Sequence, residues 1–121
     1  MNLYCHERTV ANFAAWDLYL IFLGRDDYIA VKALRLTLTQ AAWRLSEELP
    51  ADVDVNTAAF WAADAGHRVA HTTVHVHGGV GIDTDHPVHR YFLAAKQTEF
   101  AVGSATGQLL QIGRELADTP A

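Results

Sequence analysis

The chain has 121 residues, half of them hydrophobic, and a formal net charge of −5. That length suits about one small domain, and the apolar content is enough to bury a core, which excludes a disordered chain. The acid excess, with no basic run and no aromatics set between basic residues, excludes nucleic acid as the main partner. Cys5 is the single cysteine, so no disulfide can form within the chain, which fits a reducing compartment. The opening MNLYCHERTV lacks the basic and apolar regions of a signal peptide. The longest apolar run, near Leu18–Leu23 in WDLYLIFLG, falls short of the ~20 residues that span a bilayer. The expectation is a soluble cytoplasmic protein with no membrane contact.

In chain order, residues 9–23 carry loosely helical apolar spacing, and Gly24 is a plausible stop. A buried strand over WDLYLIFL remains open, because a short apolar run does not separate the two. Over 26–48, Val31, Leu34, Leu38, Ala41 and Leu45 repeat at helical intervals. Asp26 and Asp27 suit that helix's N-terminus, and Leu49-Pro50 ends it. The next helix is expected from about 55 to 76, capped by Asp54 or Asn56. Phe60, Ala63, His67, Ala70 and Val74 share one face. Beside them Ala62, Gly66, Val69 and Thr73 form a small-residue strip that permits close approach.

Gly78-Gly79 ends this helix, and residues 77–86 read as a loop. Pro87 suits the first turn of another helix, after Asp85 or His86. That helix carries Val88, Tyr91, Phe92, Ala95 and Phe100 and is interrupted at Gly103. A last helix, about 104–117, aligns Ala105, Leu109, Ile112 and Leu116. The fold class is all-α, an antiparallel helical bundle of about four helices with short loops. Trp16, Trp43 and Trp61 are read as core or interface anchors, and His67 and His71 as packing residues.

Four of the seven histidines lie in VHVHGGVGIDTDHPVHR, residues 74–90. His71 and His75, four apart, have a spacing that could hold zinc. Yet no HExxH is present and no cysteine is near, so a histidine-rich metal-binding bundle is kept only as an alternative. A phosphate cradle is the other reading of the residues. Gly78, Gly79 and Gly81 let backbone approach a ligand, and a helix N-terminus follows at Pro87. The arrangement is neither a strand–GxGxxG–helix nor a GK[ST] loop.

Taken together, residues 28 to about 117 resemble the C-terminal helical domain of acyl-CoA dehydrogenases. HVHGGVGIDTDHPVHRYF, residues 75–92, is similar to that family's Q-x-x-G-G-x-G-[FY]-x-x-x-x-P-[VL]-x-[RK] signature, with Gly78, Gly79, Gly81, Pro87 and Arg90 in register. FWAADAGHRVAHTTV resembles the preceding helix, and VGSAT, residues 102–106, falls where the family carries E-G-T-x-Q. The wording is closest to actinobacterial members, several of which act in steroid breakdown.

The resemblance implies FAD, shared at a subunit interface, and dehydrogenation of an acyl-CoA between its α and β carbons by a glutamate base and the flavin. It implies that His75, Gly78, Gly79, Gly81, Ser104 and Thr106 contact the cofactor. Arg90 would brace the loop. It implies self-association, or pairing with an intact acyl-CoA dehydrogenase subunit, with acyl-CoA met only through that partner.

The sequence also departs from the family. The middle β-domain is not represented. Val102 stands at the usual base position and cannot accept a proton, so no catalytic residue is assigned. Glu99 is the nearest carboxylate. His75 replaces the signature glutamine, Ser104 and Thr106 replace Thr and Gln, and residues 1–27 form a divergent, helical N-terminal segment. Residues 118–121 read as a tail.

The main expectation is an acyl-CoA dehydrogenase C-terminal domain that is not catalytic alone. It would act as an oligomerisation or partner subunit, or be a truncated remnant. The alternative is an FAD-binding component of a heteromeric enzyme whose base comes from another chain.

Overall fold

The computed structural model describes the backbone of residues 3–118 and the side chains of residues 24–118. It contains α1 (Leu3–Ser46), α2 (Asp52–His77), a 3-10 turn (Gly78–Ile82), α3 (Pro87–Ala101) and α4 (Ala105–Asp118). The described residues form an all-α bundle. α2 is its hub: α1, α3 and α4 each pack on it and little on one another. None of the described helices is long and apolar enough to cross a membrane.

α1 corrects two expectations. It runs through Gly24, so that glycine stops nothing, and Asp26 and Asp27 cap nothing. An isolated glycine inside a helix costs only about 1 kcal/mol, which packing of the rest of the helix offsets. The strand alternative for WDLYLIFL falls with it; the side chains of that run, Trp16 included, lie outside the described residues.

The buried stripe of α1 is also rotated from the expected one. Ala30 and Ala41 are buried and Leu34, Thr37 and Arg44 half-buried, whereas Val31, Leu38 and Leu45 are exposed. Apolar residues occupy more than one face of α1, so periodicity alone did not choose between them. Close approach to α2 did, through small side chains.

α1 ends in a Schellman turn. Glu48 takes φ 55°, its N–H donates to Leu45 O at 3.2 Å, and Leu49 N–H donates to Arg44 O at 2.9 Å. The left-handed residue costs roughly 1–2 kcal/mol, and the two hydrogen bonds offset it. Pro50 lies just beyond, as a helix stop should.

α2 starts earlier than expected, at Asp52 after Ala51, with no side-chain cap. Asp54 and Asn56 are engaged elsewhere. Asp54 pairs with Arg44 at 3.0 Å, and Arg44 Nε donates to Pro50 O at 2.8 Å, tying the α1–α2 turn. Asn56 Nδ2 donates to Glu115 Oε1 on α4 at 2.7 Å. Asp52 and Asp54 still favour the positive end of the helix dipole.

The core is built of alanine. Ala30, Ala41, Ala51, Ala58, Ala63, Ala65 and Ala70 are buried together with Val88. Ala58, Ala63, Ala65 and Ala70 bring the neighbours close to α2. Gly66 does not, since a Cβ there would meet nothing within 4 Å.

Large apolar side chains lie outside this core. Tyr91 and Phe100 on α3, and Leu109, Leu110 and Leu116 on α4, are exposed, as is Trp43. α4 turns Ala105, Gln108, Ile112 and Glu115 inward rather than the expected Leu109 and Leu116. Polar partners decide this: Gln108 Nε2 donates to Val102 O, and Glu115 receives Asn56 and Gln111. Trp61 is half-buried, edge-to-face on Phe60 at 5.3 Å.

Candidate functional site

The predicted residues gather at two turns, one at each end of α3. The first is the 3-10 turn. Gly78 closes α2 with φ 60° and ψ −140°, its N–H donating to His75 O. Gly79 and Val80 are exposed, and Cβ atoms at Gly78 or Gly79 would meet nothing within 4 Å. Gly81 is buried, and a Cβ there would lie 2.5 Å from Val74 O and 3.2 Å from His77 Cβ. The two roles differ: Gly78 and Gly79 leave open backbone facing outward, whereas Gly81 lets the turn fold against α2.

The expected loop at 77–86 is therefore mostly an ordered turn. Asp83 Oδ1 accepts from Asp85 N–H at 3.0 Å, closing an Asx turn. His86, not Asp85, caps α3: its Nδ1 accepts from Val88 N–H at 3.3 Å, and Pro87 follows at the first helical position. His77 Nδ1 donates to Thr73 O at 2.7 Å, and its ring lies 5.6 Å from that of His86. His75 stands exposed on the last turn of α2. Arg90 is exposed and takes part in none of the ion pairs among the described residues.

The second turn follows α3. Val102 is its half-buried C-cap. Gly103 and Ser104 both take positive φ, 86° and 63°. Gly103 N–H donates to Phe100 O at 3.1 Å and Ser104 N–H to Glu99 O at 3.0 Å, a second Schellman turn. Ser104 Oγ then accepts from Gly107 N–H at 3.3 Å and starts α4; Thr106 is exposed.

The structure thus brings His75, Gly78, Gly79 and Gly81 together, and separately Ser104 and Thr106. The 15 residues of α3 hold the two groups about 22 Å apart. Two clefts, of about 410 and 340 Å³, lie by the α1–α2 turn and between α1 and α2, and no predicted cofactor residue lines either. His75, Gly78, Gly79 and Thr106 are exposed and lie at the open surface.

Sequence reading missed a polar cluster joining α2 to α3. Lys96 Nζ donates to Glu99 Oε2 at 2.9 Å, and His67 Nδ1 lies 3.1 Å from the same oxygen and 2.7 Å from Lys96 Nζ. His67 stacks on His71 at 4.5 Å, and His71 meets Phe92 edge-on at 5.3 Å. His67 and His71 are thus surface members of this cluster, not interior packing. The signal was present as H-x-x-x-H facing K-x-x-E.

Lys96's hydrogen bond, aided by His67, holds the Glu99 carboxyl below its ordinary range, against the opposing effect of burial. Burial, then the charges of His67 and Lys96, make His71 harder to protonate, with Glu99 opposing. No group of three or more His, Cys, Asp or Glu among the described residues is placed to hold a metal ion.

An α-helical bundle with a glycine turn and a Schellman turn flanking its third helix defines the class of the domain. Residues 25–117 match the family model of the acyl-CoA dehydrogenase C-terminal domain, and the chain belongs to that family. Over 123 aligned positions it is 75% identical to acyl-CoA dehydrogenase FadE27 of Mycobacterium tuberculosis, covering 95% of this chain and 32% of that protein. It is 30% identical over 86 residues to acyl-CoA dehydrogenase FadE28 of the same organism, covering 71% of this chain and 25% of the relative. The solved structure of a Tcur3481–Tcur3483 steroid ACAD G363A variant superposes with TM-score 0.77 at 36% identity, over 84% of this chain and 28% of that one. The chain spans about a third or less of the length of these relatives.

Proposed function

We propose that this chain serves as the C-terminal helical domain of an acyl-CoA dehydrogenase assembly in which another subunit supplies the catalytic base. The observation that carries the reading is Val102, at the C-cap of α3 beside left-handed Gly103. The resemblance puts the base there, and an isopropyl group cannot take the α proton of a thioester. Glu99, one turn earlier, is half-buried and ion-paired with Lys96, so it is no ready substitute.

The open backbone at Gly78 and Gly79 fits a phosphate-bearing ligand approaching closely. FAD, shared with another subunit, is that ligand in this reading; when bound, it supplies the oxidant for the β hydride. His75 would stand beside its phosphates or ribose as a hydrogen-bonding group, and Ser104 and Thr106 would face a second, neighbouring site. The steroid ACAD among the similar structures favours a steroid-derived acyl-CoA as the thioester. Exposed Val31, Leu38, Leu45, Leu109 and Leu116 support coverage by other subunits, a second copy or an intact acyl-CoA dehydrogenase.

Purification alone and after co-expression with an intact acyl-CoA dehydrogenase tests this, by visible absorbance for flavin and light scattering for mass. The expected result is a colourless oligomer alone, and a yellow complex active on acyl-CoAs with the partner. A yellow chain that dehydrogenates acyl-CoA unaided would overturn it.

A further inference from the structure

The His67–Lys96–Glu99 cluster has two wirings that exclude each other. The in-plane position of Nδ1 holds either a lone pair or a hydrogen. With a lone pair, Nδ1 accepts from the Lys96 ammonium, 2.7 Å away. With a hydrogen, it donates to the Glu99 carboxylate, 3.1 Å away, and then faces the ammonium as one donor against another. Both neighbours sit within bonding distance of the same atom, so when the neutral ring carries its hydrogen on Nε2 and Nδ1 accepts from Lys96, proton uptake at Nδ1 changes which one is bonded.

We propose that His67 is a proton-operated switch at the α2–α3 joint: on protonation it releases Lys96 and pairs with Glu99. The groups that face it are Lys96 and Glu99 on α3 and His71 on α2. Nearby on α2, Asp64 and Arg68 are paired with each other at 2.9 Å. Among the described residues, no hydrogen bond or ion pair reaches His67 from α1, the 3-10 turn or α4.

The side chains of Lys96 and Glu99 are 23% and 17% exposed, so the pair is partly shielded from water and less screened than a free surface pair. Of the stacked pair, His67 is the one whose ring nitrogen lies within bonding distance of both Lys96 and Glu99. The joint also reaches the second turn directly, because the Glu99 carbonyl accepts the Ser104 N–H. A change of partner at the Glu99 carboxylate therefore acts on the residue that anchors the Val102–Ser104 turn. The switch needs no bound FAD and stands apart from the function proposed above.

The test is a histidine-ring NMR titration of the whole chain, with the Lys96 Cε signal followed in the same series. In the wild type, the Lys96 signal should move together with His67 protonation. Lys96→Met removes the competing cation and should move the His67 midpoint to higher pH. Glu99→Gln removes the stabilising carboxylate and should move it to lower pH. Helical content by circular dichroism identifies any variant that fails to fold, and the wild-type coupling alone then decides. A Lys96 signal that stays flat through His67 protonation, or a midpoint unmoved in either folded variant, overturns the proposal.

Discussion

The two turns that flank α3 share a backbone strategy and differ in chemistry. Each uses left-handed residues to end one helix and start the next: Gly78 before α3, and Gly103 with Ser104 after it. At the first turn, the two glycines that the geometry needs, Gly78 for its positive φ and Gly81 for its close approach to α2, are among those the family signature carries. At the second, the glycine is in place, but the residue before it is valine where the resemblance expects a carboxylate. The difference teaches that the hydrogen bonding of the second turn does not draw on the side chain at its C-cap. Its hydrogen bonds run from the N–H groups of Gly103 and Ser104 to main-chain carbonyls and involve no side chain of residue 102. A base can be lost there while the fold stands.

The largest effect should come from Gly81→Ala. The added methyl would lie 2.5 Å from a backbone carbonyl of α2, which cannot swing aside as a flexible side chain can. A destabilisation of about 2–3 kcal/mol is expected in denaturant melts, in the range of overpacked cores. Gly103→Ala should follow at roughly 1–2 kcal/mol, from its φ of 86° and a 3.2 Å approach to Gln108 Nε2, which can move. Gly78→Ala, in open space but at φ 60° and ψ −140° where L residues are strained, should cost about 1–2 kcal/mol. If Gly78→Ala proved as damaging as Gly81→Ala, the division of the first turn into an open edge and a packed edge would fail.

Much of this architecture was legible in sequence, and the errors share a cause. Gly78, Pro87 and Gly103 set helix ends through their own backbone preferences, so those boundaries fell within a residue or two of the expected ones. The faces of α1 and α4 did not follow. Leu38, Leu45, Leu109 and Leu116 have helical spacing, but alanines and polar residues hold the inward positions. Periodicity finds the apolar stripe of a helix. It does not tell whether that stripe meets this chain or another. Gly24 failed as a stop for a related reason, since a local propensity of about 1 kcal/mol yields to the continuity of a long helix. Of the candidate site, the grouping at 75–81 could be read from the resemblance to the family signature. The separation of Ser104 and Thr106 from it by a whole helix, and the pairing of His67 with Lys96 and Glu99 across helices, needed the third dimension.

Acid should weaken the joint between α2 and α3. Glu99 ionises below the ordinary carboxylate value of 4.5, so its stabilising effect is complete above that value and is lost as pH falls through the folded one. His71 is harder to protonate folded than unfolded. The unfolded chain therefore takes up a proton first as pH drops below about 6.5, and stability declines there too. Denaturant melts from neutral pH downward should show both losses. Glu99→Gln should flatten the lower one, and His71→Phe the upper. A stability that stays constant below pH 6.5 would mean the cluster contributes nothing to the α2–α3 joint.

The smallest expected effect bears most directly on the comparison. Val102→Glu restores a carboxylate at the C-cap of α3. The side chain is half-buried, and a negative charge at a helix C-terminus is disfavoured by about 0.3–1 kcal/mol. The added carboxylate also lies one turn from Glu99, whose partners Lys96 and His67 already offset one negative charge. A loss of about 1 kcal/mol or less in a denaturant melt is therefore expected, with helical content unchanged. That result would show that the valine is not required by packing, and that the turn tolerates either a base or its absence. A loss of several kcal/mol would give the opposite meaning: Val102 would be a structural residue, and its lack of a carboxylate would follow from the needs of the fold rather than from a division of chemistry between subunits.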